Sequence, residues 1–206
     1  MKNLFKELGC INVVSGGQSM NPSTDDIYEA VLATPAKNVI VLPNNKNIVM
    51  AAQQSIPLSE KRVIVIPTGT VPQGITAALT FDESATPEEN EQMMADAAAT
   101  VHTASVTYAA RDSEFDGHSI TAGEYLALLD GSLVSNNSAI ANVVAETAEA
   151  LEKHSPEIIT VYYGEDVTAE EAEKAVEIIS EKVNPYAEVT LVNGGQPVYY
   201  FIISAE

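Results

Sequence analysis

Three short polar stretches, each directly after a run of β-branched residues, are where this chain could do chemistry. They are Ser15, Gly16, Gly17 and Gln18; Asn44 and Asn45 with Asn47; and Thr68 and Thr70 with Gln73 and Gly74. Together they offer glycine amides and the side chains of Ser, Thr, Asn and Gln, with Lys46 as the only cation and no carboxylate before Asp25. Such a lining suits an anion, a phosphate or carboxylate held by backbone N–H groups and helix N-termini. It is poorly suited to acid–base catalysis or to Mg²⁺, both of which call for carboxylates. The same residue types also make ordinary turns and helix caps. The anion reading therefore depends on the three stretches meeting.

The elements around them predict that they do. Ile11–Val14, Asn38–Leu42 and Arg62–Ile66 are short, continuously apolar runs, the pattern of strands buried on both faces. They alternate with helical patterns, the first opened by Ser23 with Asp26 three residues on, an approximate capping box. This βαβαβα order predicts a parallel, three-layer α/β lobe over residues 1–101, with the polar loops at the carboxyl ends of the strands forming one crevice. After a helix capped by Thr86 with Pro87 at its first position, the pattern changes. Residues 102–206 predict a mixed, largely antiparallel α+β lobe. It has a meander turning at Asp116-Gly117 and Asp130-Gly131, a helix near Ala139–Lys153, and a Thr168-capped helix between two strands. A second Gly-Gly-Gln, at Gly194–Gln196, falls between two strand patterns and reads as a hairpin turn.

Composition narrows the function classes. A formal net charge of −19 repels nucleic acid and anionic membrane surfaces, so the expected partners are proteins or small molecules. No apolar run reaches membrane-span length. One cysteine, Cys10, excludes an internal disulfide and reads as a small buried hydrophobe; the opening residues lack a signal-peptide core, and the expected compartment is the cytoplasm. There is no Walker loop, dinucleotide fingerprint or nucleophile elbow. His102, His118 and His154 are far apart in sequence, with no ligand spacing, and read as strand or surface residues, so no metal site is expected. The Asp112–Glu124 segment resembles a calcium loop, but position twelve is Gly123 and a hairpin is favoured.

Several longer segments carry a resemblance: "VVSGGQSMNPSTDDI", "VLPNNKNIVMAA", "VIPTGTVPQGITAALTFD", "VTYAARDSEFDG", "VYYGEDVT" and "NGGQP". Together they resemble the C-terminal domain of the A-type subunit of bacterial fatty acid kinase, the dihydroxyacetone kinase-like family that partners DegV proteins. The resemblance implies a non-catalytic module that docks a DegV-type fatty acid-binding protein. It also implies that ATP and Mg²⁺ bind in an N-terminal kinase domain of the same polypeptide, outside this chain, which is accordingly expected to be a fragment. No cofactor is expected in the chain itself. A more distant similarity to the substrate half of dihydroxyacetone kinases implies a small-molecule site in the same loops, but the histidine that tethers a ketone there has no counterpart. Structural homodimerisation is a third reading that needs only apolar surfaces. Arg111, on the meander, is the alternative docking position.

Overall fold

The computed structural model describes residues 1–14, 21–115 and 117–206. The chain divides into two compact units, Met1–Val101 and His102–Glu206.

In the first unit a short helix α1 (Lys2–Glu7) precedes α2 (Thr24–Ala33), strand β1 (Asn38–Val41), α3 (Lys46–Ser55), strand β2 (Arg62–Val65), α4 (Val71–Leu79) and α5 (Pro87–Ala99). β1 and β2 pair in parallel, Val39 opposite Val63 and Val41 opposite Val65. Successive side chains of a strand point to opposite faces, and here both faces are covered. Val39, Val41, Val63 and Val65 pack against Ile27 and Val31 of α2 and against Ile48 and Ala52 of α3. Ile40, Leu42, Ile64 and Ile66 pack against Ala77 of α4 and against Met94 and Ala98 of α5. This is why the two runs are continuously apolar, and it gives the three helix–sheet–helix layers.

The helices start where their caps are. Ser23 and Asp26 form a full capping box, as do Thr86 and Glu89. The Thr86 N–H and hydroxyl both donate to Glu89, at 2.7 Å each, and these bonds hold the Glu89 carboxyl below its ordinary range.

The expected first strand, Ile11–Val14, is not one. The Asn12 side chain donates to the Ala30 carbonyl at 3.2 Å and to the Thr34 hydroxyl at 2.9 Å. The segment is thus bound to the carboxyl end of α2, with Ile11 61% exposed, and carries no strand pairing.

The second unit is built on a six-stranded sheet, with elements β3 (His102–Tyr108), β6 (Tyr125–Leu129), β7 (Ser132–Asn137), α6 (Ile140–Glu152), β8 (Ile158–Tyr163), α7 (Ala169–Lys182), β9 (Glu188–Asn193) and β10 (Phe201–Ala205). A separate two-stranded hairpin, β4 (Ser113–Phe115) with β5 (His118–Ile120), follows β3. The sheet order is β7-β6-β3-β10-β8-β9. All neighbours are antiparallel except β8 and β9, which α7 joins in parallel. α6 and α7 complete one contiguous core containing Val106, Leu151, Ile159, Ile179 and Ile203.

The sheet order overturns the hairpin expected at Gly194–Gln196. β9 and β10 are not neighbours, because β8 lies between them, so this segment carries the chain past the end of β8. The N–H groups of Gly194 and Gly195 both donate to the Tyr163 carbonyl at 3.1 Å. Gly195 takes φ +55°, and the buried Gln196 amide donates to the Tyr162 carbonyl at 3.0 Å.

Candidate functional site

β1 and β2 run parallel, so the loops that follow them leave the same edge, and their side chains meet. The Asn44 N–H donates to the Thr68 hydroxyl at 3.0 Å, and that hydroxyl donates to Asn44 Oδ1 at 2.9 Å. Thr68 is fully buried. Asn44 sits at φ +58°, a left-handed conformation that asparagine tolerates better than most residues. Its amide lies over the first turn of α4, where a Cβ on Gly74 would fall 1.8 Å from Asn44 Oδ1. Gly74 is therefore required by close approach, not by an unusual backbone angle.

The neighbouring groups are also committed to the loops. Asn45 caps α3, its Oδ1 accepting from the Asn47 N–H at 2.9 Å, and its Nδ2 donates to Asn21 Oδ1 at 3.4 Å. The Gly69 N–H donates to Gln73 Oε1 at 2.7 Å, while Gln73 Nε2 donates to the Val101 carbonyl at 3.4 Å. Thr70 caps α4 by accepting from the Gln73 N–H. Asn44, Asn45, Thr68, Thr70, Gln73 and Gly74 are thus brought together, but largely as partners of one another. Asn47 is exposed on the first turn of α3. Ser15, Gly16, Gly17 and Gln18 lie outside the described residues. Arg111 belongs to the other unit and is exposed between β3 and β4.

Next to these loops is a feature that pattern reading missed, a cavity of about 780 Å³ within the first unit. Phe5, Ile27, Val31, Ile64 and Met94 line it, and Asn44 and Asn45 contribute polar groups to its wall. That volume falls in the range of small-molecule sites, roughly 300–1,000 Å³. Nothing in the sequence marks it, since its lining residues are ordinary core positions on α1, α2, α5 and the sheet.

The cavity's chemistry is that of containment. Cys10 is on the wall, but burial pushes its thiol pKa up, and residues 1–101 contain no histidine to activate it. Asp82, also on the wall, is held below its ordinary range chiefly by the Ser84 hydroxyl, so it is a carboxylate and not a proton donor. Nor does the loop edge suit magnesium–nucleotide, because its donors are amides and hydroxyls and the nearest acids are engaged elsewhere. Asp26, for example, is taken up by the Ser23 capping box.

In the second unit, sequence separation concealed a convergence. His102, Asp130 and His154 come from the start of β3, the β6–β7 turn and the end of α6, and they offer ligand atoms that all lie within 4.8 Å of one another. Here three-dimensional structure corrects the reading of scattered histidines. Asp130-Gly131 was legible as a turn, but not its position beside the first residue of β3.

The FakA-like C-terminal family, that of the A-type component of fatty acid kinases, matches residues 1–206. Protein YloV of Bacillus subtilis (strain 168) is 40% identical over 204 residues, covering 99% of this chain and 37% of that protein. An uncharacterized protein of Staphylococcus aureus (strain bovine RF122 / ET3-1) is 38% identical over 206 residues, covering 100% of this chain and 37% of its own length. The chain thus spans 37% of the length of these curated relatives. Among solved structures, the DegV family protein Cg2579 from Corynebacterium glutamicum matches at TM-score 0.69 and 13% identity, over 99% of this chain and 91% of that one. The Streptococcus pneumoniae fatty acid kinase B3 protein loaded with linoleic acid matches at 0.64 and 14%, over 90% and 76%. The dihydroxyacetone kinase of C. freundii matches at 0.58 and 14%, over 89% and 41%. At these identities the structural matches establish a shared α/β fold.

Proposed function

Because the chain belongs to the FakA-like C-terminal family of fatty acid kinases, we propose that it is the non-catalytic C-terminal module of a cytoplasmic fatty acid kinase. It docks an acyl-carrying DegV-type protein so that the fatty acid carboxylate can be phosphorylated by an ATP-binding domain elsewhere in the polypeptide. The observation that carries this reading is the family match over the whole chain. The amide-and-hydroxyl loop edge supports it, because such an edge can recognise a partner but supplies no ligands for Mg²⁺. ATP and Mg²⁺ belong to the kinase domain in this proposal.

Docking is assigned to the exposed first turns of α3, where Lys46 and Asn47 are open to solvent and Met50 is 67% exposed. Asn45 and Gln73 are less suitable to mutate, since both hold the loops together. Asn47→Arg places bulk on the surface without removing a cap. It is expected to weaken calorimetric binding of a fatty acid-loaded DegV-type protein about tenfold, or 1.4 kcal/mol, with an unchanged thermal melt. Unaltered affinity would move the docking surface, with Arg111 the next position to test.

The cavity favours a second reading, that the chain itself encloses a carboxylate-headed apolar molecule, its tail among Phe5, Ile27, Val31 and Met94 and its head toward Asn44 and Asn45. Saturable binding of a fluorescent fatty acid to delipidated protein, competed by oleate, would support it. Absence of saturation would leave the docking reading alone.

A further inference from the structure

His102, Asp130 and His154 have a geometry that neither the sheet nor the helix requires. Asp130 occupies the β6–β7 turn at φ +53°. Its carboxylate is fixed there: Oδ1 accepts the Thr103 N–H at 3.0 Å, and Oδ2 lies 2.7 Å from His102 Nδ1. The turn backbone is fixed as well, the Asp130 N–H donating to the Thr103 carbonyl at 2.9 Å. On the other side, the His154 ring stacks on His102 with centroids 3.7 Å apart and planes 29° from parallel. His154 is placed by the end of α6, its N–H donating to the Leu151 carbonyl at 2.9 Å.

A carboxylate on one imidazole nitrogen fixes the proton there and leaves the other nitrogen as a lone-pair donor, the arrangement found behind metal-ligating histidines. A second imidazole lies against the first. Two nitrogens and a carboxylate are a donor set for late first-row divalent ions, whereas Mg²⁺ and Ca²⁺ prefer oxygen alone. A Zn²⁺ ion bonds each nitrogen at about 2.0–2.1 Å, so donors on one ion stand at most about 4 Å apart. The cluster, with all its ligand atoms within 4.8 Å, reaches that spacing by side-chain rotation. Asp130 and His154 are both exposed and have room to turn.

We propose that His102, Asp130 and His154 form a site for one late first-row divalent cation, Zn²⁺ being the reference ion. It pins the start of β3, the β6–β7 turn and the end of α6 to one another. The ligand donors come from the two imidazoles, with Asp130 orienting His102 or completing the set. The site is independent of the loop edge and of the cavity in the first unit.

The test is calorimetric titration of the metal-free chain with ZnCl₂, in parallel with His154→Ala, His118→Ala and MgCl₂ arms. The expected result is one Zn²⁺ per chain with an affinity in the micromolar range or tighter, weakened at least tenfold by His154→Ala and unchanged by His118→Ala. Mg²⁺ should give no comparable isotherm. His154 is exposed, so its variant should melt like the parent in the absence of metal, and imidazole proton shifts of His102 should move only when Zn²⁺ is added. No Zn²⁺ binding at millimolar concentration overturns the proposal. So does equal binding by His154→Ala, which would assign the ion to the chain's abundant surface carboxylates.

Discussion

In the first unit two parallel strands are covered by helices on both faces, and its buried residues fall into separate small clusters, one about Val31 and Val63, another about Ile27 and Ala52, another about Ile66 and Met94. In the second, six strands gather buried residues from Ala104 to Ala205 into one continuous cluster. A narrow sheet with helices on both sides divides its apolar side chains between two layers and leaves space among them, which here is the cavity. A broad sheet backed by α6 and α7 fills its interior. The first arrangement suits enclosure or adaptable binding, the second a rigid support.

The sharpest way to break this contrast is by truncation. Ile203→Ala removes atoms from a site with no solvent exposure and should cost about 4 kcal/mol. Met94→Ala borders existing space, loses fewer contacts, and should cost about 2 kcal/mol. Urea denaturation of both would decide it, and equal costs would mean that the cavity wall packs like the second core.

Next in size are the close-approach glycines. A Cβ on Gly164 would lie 2.2 Å from the Tyr199 carbonyl oxygen, a backbone atom, whereas at Gly74 the obstacle is the Asn44 side chain. Gly164→Ala is therefore expected to cost about 3 kcal/mol and Gly74→Ala about 1–2 kcal/mol. Adding Asn44→Ala should recover part of the Gly74→Ala loss, a coupling that a double-mutant cycle reads directly. No recovery would mean that Asn44 is not what Gly74 makes room for.

Helix caps should give smaller and nearly equal effects in the two units. Asn45→Ala and Thr168→Ala each remove a side-chain acceptor for an N-terminal N–H group, at about 1 kcal/mol each. Asn45→Asp keeps the acceptor and should melt close to the parent.

The smallest effect is on alkaline stability of the second unit. Burial raises the Tyr162 pKa from 10.0 to about 12, with the charge of Glu206 adding to the shift. A raised folded-state value means that the stabilisation is complete below pH 10 and is lost as pH rises toward 12. Tyr162→Phe should flatten the decline in melting temperature over that window, while Tyr186→Phe, at a position 92% exposed, should leave it unchanged.

Much of the element content was legible because its causes are local. Ser23, Thr86 and Thr168 announced helix starts through caps that form within four residues, and the apolar runs at Val39 and Val63 announced strands with both faces covered. Ile11–Val14 misled because a four-residue apolar run cannot report whether a strand is available to pair with it, and Asn12 ties it to α2 instead. Gly194–Gln196 misled because turn residues mark a change of direction without naming the next strand's neighbour. At the loop edge, the residue types identified the meeting of Asn44, Thr68 and Gly74 but not that they would satisfy one another. The cavity and the His102–Asp130–His154 cluster were invisible for a common reason: both arise from packing between elements distant in sequence.

The position of β10 has a consequence for how the second unit comes into being. β3, β6 and β7 form one ladder and β8 and β9 another, and β10 is the strand that pairs with both. A ribosome that has made residue 200 but not residue 205 has therefore produced two half-sheets with no seam. Each exposes a strand edge in need of a partner, and another nascent chain could supply it. Joining them links Ile202 to Ser105, a closure across nearly the whole unit and slow for that reason. A chaperone that shields those edges until residues 201–205 arrive would raise the yield of native protein more than one acting on the first unit, whose β1–β2 pairing spans only Asn38 to Val65.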